Sequence, residues 1–416
     1  MHRRSLIVRF SLLCLALVTC TTFASAQKKK DDKEDDKKEQ EYREDPYTEN
    51  IEDVWRAAGY EAMGDFGWAD GHGTVNIEDA IGDEEIIFIE TKHFKIGCCL
   101  PDYKISREDK IEKSKIESEL DELREFIPNI PRRVKVLDKW LRLHLYAMRI
   151  EKLYTSIQGI LQVSDDDFPT GPGQLKNGKY MGEGPYLGMK SKFTLLLFDK
   201  ESSIGRYRTA FMGDTGIIPI RFLFPNEGTL LYACAAQNEG LASDTTMHCA
   251  MVYAVTQNLL NGYRHYGQAM PTWLPLGVAH SLARDIDQKR NYFTDKRLYN
   301  SEDKNIWKWD TKTRKRVDHN IAVSYQKMTA WGSPESLSYN DHVMAWARVD
   351  FLLKEHKDWV AKWLYRMQDS YAPTLVPSAE QLVERDKETV AEIFVFNEGD
   401  FESVWQKWVK KNYKKK

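Results

Sequence analysis

Met247-His-Cys-Ala-Met-Val-Tyr-Ala-Val-Thr-Gln-Asn-Leu-Leu260, followed shortly by Met270-Pro-Thr-Trp-Leu-Pro-Leu-Gly-Val-Ala-His-Ser-Leu-Ala283, is the stretch on which the fold turns. The first run predicts a helix over residues 245–262. Ser243 or Asp244 is placed to cap it, since a short polar side chain there accepts a hydrogen bond from an otherwise unpaired first-turn amide. The second run predicts a loop entering a helix over residues 275–285. Pro275 suits a first turn, where its missing N–H leaves nothing unbonded. His248 and Val252 stand four apart and so share one face of the first helix, while Cys249 is turned about 100° away from His248.

The surrounding pattern puts strands first and helices afterwards. Residues 85–96 are β-branched and aromatic, which predicts one long strand or a bent pair. Residues 107–127 predict a helix with Ile111, Ile116, Leu120, Leu123 and Ile127 on one stripe, ended by Pro128 and Pro131. A longer helix is expected over 134–163, then a Gly/Pro/Asp-rich loop over 165–188. Residues 193–198, 216–224 and 229–234 predict three more strands. Beyond 245 the helical runs are 245–262, 275–285, 342–355, 357–368 and 401–412, the last with a basic tail. Segregated strands and helices point to an α+β fold, and there is no internal repeat.

On these residues the chain resembles the gluzincin zinc metallopeptidases, in particular the peptidase-MA-like group of bacterial exported proteins. Members of that group carry His-Glu-x-x-His on the first helix and open the next with Pro-x-Trp-Leu-x-Glu-Gly-x-Ala-x-Tyr. Histidines at i and i+4 share a zinc ion, the intervening Glu activates water, and the Glu of the second helix is the third ligand. Pro271, Trp273, Leu274, Gly277 and Ala279 match the second stretch, and His248 matches the first ligand. Cys249 stands at the base position, Val252 at the second histidine and Leu276 at the ligand Glu. Glu90-Thr-Lys-His-Phe-Lys-Ile96 looks like the opening strand, Leu141 to Tyr154 like the helix under the sheet, Ser191 to Phe198 like the next strand, and Val343 to Leu353 like a late core helix. The resemblance therefore spans most of residues 85–370 and implies a gluzincin-like scaffold: an N-terminal mixed sheet and a mostly helical C-terminal half.

The departures set the functional expectation. With one ligand of three left and no base, no zinc and no hydrolase activity are expected, and Val252 and Leu276 fill the former metal space. Apolar groups at two ligand positions avoid stranding unpaired polar ones. The alternative is a zinc hydrolase with a non-standard ligand set drawn from His248, His280 and His342. Cys249 is read as packing rather than as a nucleophile, which would need a base in reach and a depressed pKa.

The N-terminus reads as an export signal: Arg3, Arg4 and Arg9, an apolar run from Phe10 to Thr19, then Ala24-Ser25-Ala26 with cleavage before Gln27. The run is shorter than the ~20 residues a spanning helix needs, and Thr19 before Cys20 fits a lipidation site poorly. Losing three arginines and no acid moves the formal charge of −3 to about −6, which argues against nucleic acid as a partner. The mature chain is expected in a periplasm or outside the cell, with no membrane span, binding peptide or cell-envelope polymer. Residues 27–50 are charged and lack anything to bury, so they read as a disordered tether. A small region over 51–84, the main domain over 85–370 and a helical extension over 371–416 complete the division.

Two further features carry weaker expectations. Among Cys98, Cys99, Cys234 and Cys249, a bridge from one of the adjacent pair to Cys234 is open. Asn305 to Arg316 sets Trp307 and Trp309 beside five basic residues in a loop. This is either a hairpin with tryptophans packed inward or a docking surface for a glycan or anionic polymer.

Overall fold

All six residues of Phe193–Phe198 are buried, as a strand covered on both faces requires, and the sheet is organised around them. The computed structural model describes residues 44–82, 84–264, 270–290, 305–332, 334–368, 378–394 and 398–415. The segment read as an export signal, with Cys14 and Cys20, and most of the charged stretch after it lie outside them. Residues Pro46–Lys416 make up one compact unit.

In chain order the elements are helix α1 (Glu52–Ala57), strands β1 (Tyr60–Met63), β2 (Gly67–Ala69) and β3 (His72–Gly73), and helix α2 (Thr74–Ile81). Strands β4 (Ile87–Thr91), β5 (Phe94–Cys98) and β6 (Tyr103–Lys104) precede α3 (Lys110–Leu123), β7 (Val136–Leu137) and α4 (Lys139–Leu161). Then come β8 (Phe193–Phe198), α5 (Glu201–Phe211), β9 (Ile220–Phe224) and β10 (Thr229–Ala235). Helices follow: α6 (Asp244–Gly262), α7 (Trp273–Ile286), α8 (Trp309–Asp318), α9 (Tyr325–Thr329), α10 (Tyr339–Glu355), α11 (Lys357–Met367), α12 (Ala379–Phe394) and α13 (Glu398–Asn412).

The fold is α+β. Six strands form one mixed sheet in the order β1-β4-β5-β8-β10-β9, parallel at β5-β8-β10 and antiparallel elsewhere. Side chains alternate across it. Phe88, Leu196, Phe198, Leu231 and Ala233 meet Ile77 and Ile81 of α2 and Ile204 and Tyr207 of α5 in one core. The opposite face is covered by α4 and α6, which pack on β5 and β10. Beyond α6 the molecule is helical, with α7 held between α6 and α10. Among the described residues no helix is long and apolar enough to cross a membrane.

Several boundaries differ from the sequence-based expectation for physical reasons. Residues 85–96 form the bent pair, β4 and β5. The stripe of α3 is Ile116, Leu120 and Leu123, continued by Ile127, whereas Ile111 is exposed in its first turn. The helix expected from 134 begins at Lys139, because Val136 and Leu137 pair with β6 and Asp138 accepts from the Leu141 amide at 2.9 Å. Packing starts before the expected end of the tether: the Tyr47 hydroxyl donates to Asp138. Residues 51–84 supply strand β1 to the main sheet and α2 to its core. Helix α5, with Gly205 and two serines, has weak intrinsic propensity. It is held by buried Ile204 and Tyr207 rather than by local preference.

All four described cysteines are free and buried. Cys98 on β5 and Cys234 on β10 both sit opposite Leu197 of β8, one on each side. Two strand spacings separate them, about 10 Å, which is beyond the ~7 Å limit for a disulfide. Cys99 points to the other face, where its thiol donates to Glu84 at 3.3 Å.

Candidate functional site

The start of α6 is fixed by four acidic or hydroxyl groups. Ser243 caps it, accepting from the Thr246 amide at 3.2 Å. Asp244, fully buried, receives the Arg149 guanidinium at 2.7 and 3.1 Å, and Arg149 also reaches Glu119 at 2.6 Å. Glu112 of α3 accepts from the Thr245 amide at 3.1 Å and hydroxyl at 2.8 Å. The first turn of α6 is thus tied to α3 and α4, and this decides what His248, one turn on, faces.

His248 is buried, and no hydrogen-bond partner for it is found among the described residues. Burial, and then the positive charges of Arg149, Lys115 and Lys152, hold its pKa well below the ordinary histidine value. The ring is therefore neutral at physiological pH. Val252 and Leu276 are likewise buried. The Cys249 thiol is pushed up to about 12 by burial, only partly opposed by the nearby Lys115. A protonated thiol is neither a nucleophile nor a metal ligand.

His280 and His342 belong to a different cluster. His280 Nε2 lies 2.9 Å from His342 Nδ1, so one ring donates to the other. Tyr253 and Trp309 stand with ring centroids 4.8 and 5.0 Å from that of His280. The structure thus brings two of the three histidines together, whereas the groups acting on His248 come from α3 and α4. Among the described residues no three His, Cys, Asp or Glu side chains gather in a way that could hold a metal ion.

The tryptophan segment is a turn over residues 305–308 that leads into α8 at Trp309, rather than a hairpin. Trp309 is only 2 % exposed. Its ring lies 4.3 Å from the Arg284 guanidinium, which also sits 4.7 Å from the Trp346 ring. A side chain so enclosed is not available to stack on a glycan. Trp307 is half-buried, with Lys289 and Lys308 each 5.5 Å from its ring.

One constellation escaped the sequence reading. His93, in the turn between β4 and β5, is clamped by Glu151 at 2.6 Å on Nδ1 and Asp165 at 3.3 Å on Nε2. Tyr154 stacks on its face at 3.7 Å. Glu151 also accepts from the His93 amide at 2.9 Å and the Thr91 hydroxyl at 2.6 Å. With both ring nitrogens and one face occupied, His93 ties the strand turn to α4 and to the segment at 165. His93 and Glu151 lie 58 positions apart, a separation that leaves no periodic signal in the sequence.

Compared with protein-family models, with curated proteins and with solved structures, the chain matched none.

Proposed function

We propose that this is an exported, non-hydrolytic protein on a gluzincin-like scaffold, working at the cell envelope by binding peptide or envelope polymer or by holding structure. The supporting observation is the electrostatics at His248. Like charges repel strongly where burial lowers the dielectric, and a dication on that ring would face Arg149, Lys115 and Lys152. Zinc does not fit this donor set: one neutral imidazole, a protonated thiol and two hydrocarbon side chains offer a single ligand where three are needed.

Metal content tests this reading. Elemental analysis of the tag-free chain, purified without chelator, is expected to give far less than one equivalent of zinc, unchanged by His248→Ala. Stoichiometric zinc that the substitution removes would return the chain to the hydrolases, as would chelator-sensitive turnover of casein. The export reading has its own check. N-terminal sequencing of the mature protein should begin at Gln27, and a product that starts at Met1 in the cytosolic fraction would overturn it.

A further inference from the structure

The chain carries slightly more acidic than basic residues, yet one pocket is positive. Asn177 and Gly178 both have positive φ, at 51° and 73°. Around them Lys176 and Lys179 exchange both backbone hydrogen bonds at 2.9 Å, the geometry of a two-residue hairpin turn. Residues directly opposed in such a pair project to the same face, so both lysine side chains leave the turn on one side, and the Lys179 ammonium lies 5.9 Å from the Tyr365 ring. Helix α11 contributes Lys362 and Arg366, four apart and therefore on one helical face. All four line a single cavity of about 550 Å³.

The hairpin pair is locally unfavourable, because like charges repel across a strand pair, and on α11 the i,i+4 repulsion is offset only at Arg366. Two acids share the cavity, and both are engaged. Asp167 accepts from the Ser164 amide at 2.7 Å, and Glu392 pairs with Arg366. Among the described residues Lys176, Lys179 and Lys362 have no carboxylate partner. Tyr365, which also lines the cavity, has the Arg264 guanidinium 3.9 Å from its ring centroid. A multivalent anion would give the unpaired Lys176, Lys179 and Lys362 the counter-charge they lack. The volume is that of a small-molecule site.

We propose that this cavity binds a small ligand carrying two or more phosphate or carboxylate groups. The site is independent of the metallopeptidase reading and stands or falls without it.

Calorimetric titration of the full chain with inorganic pyrophosphate and, separately, with citrate tests it. At low ionic strength at least one probe should saturate one-to-one in the submillimolar range, more weakly as salt is raised. Binding of pyrophosphate alone assigns phosphate chemistry, of citrate alone carboxylate chemistry, and of both a site selecting on charge. Lys176→Gln/Lys179→Gln and, separately, Lys362→Gln should each weaken binding by about tenfold or more. Lys110→Gln/Lys113→Gln, the same charge change on α3, should leave it intact. The ligand-free hairpin variant should melt no lower than the parent, since a repulsion has been removed. The proposal fails if neither probe saturates, or if the α3 variant loses as much affinity as the cavity variants.

Discussion

Asp244→Asn is expected to lower stability by about 3–5 kcal/mol at neutral pH, because it leaves a buried cation with half its counter-charge. Arg149 is buried together with Asp244, and its remaining carboxylate, Glu119, is the more exposed of its two partners. The pH dependence gives the test its sign. Burial, the largest single influence, would raise the Asp244 pKa, but Arg149 together with Arg142 and the donating Tyr146 hydroxyl outweighs it and holds the carboxyl below its usual range. A depressed folded-state pKa contributes stability that is fully present above the unfolded carboxylate pKa and is lost as pH falls through the folded value. Urea unfolding of parent and variant from pH 7 down to pH 3 should therefore show the gap widest at neutrality and narrowing with acid. A gap independent of pH would mean that packing, rather than this ion pair, anchors α6.

Gly277→Ala should destabilise the protein by about 1–3 kcal/mol, although alanine is the better helix former by about 1 kcal/mol. The reason is contact between α7 and α10. A Cβ at position 277 would lie 2.4 Å from Val349 Cγ2 and 2.6 Å from the Ala345 carbonyl oxygen. The valine methyl can rotate or be removed, but the carbonyl belongs to a helical backbone and cannot yield alone. Adding Val349→Ala should accordingly recover only part of the loss. Complete recovery would show that the side chain was the whole obstacle, and a stabilised single variant would mean that the helices are farther apart than described. Gly277 is also one of the residues that carries the gluzincin resemblance, so its presence has a packing explanation that owes nothing to catalysis.

Local periodicity was enough for the elements that matter most. Phe193–Phe198 announces itself as an apolar strand, and residues 245–262 as a helix capped by Ser243 or Asp244, of which Ser243 proves to be the cap, because spacing and capping act within a few residues. Cys249, at the position the gluzincin resemblance would give to the base, and Val252 and Leu276, at two positions it would give to ligands, were likewise visible in the bare string. Where elements begin was less visible: Val136 and Leu137 leave the helical run only because Tyr103 and Lys104 are there to pair with them. The loop expected over 305–316 holds only up to Lys308, and the helix that replaces it from Trp309 has the same origin. A basic, tryptophan-bearing segment looks solvated until Arg284, Trp346 and His280 arrive around Trp309.

The amino-acid order thus dictated fold class and the main helices and strands, since each depends on neighbours along the chain. Which charges surround His248, that His280 pairs with His342 instead, and that Lys176 and Lys179 face Lys362 and Arg366 were settled by packing. Those groups lie tens to hundreds of residues apart, and electrostatic energy depends on separation in space, which chain order alone does not specify.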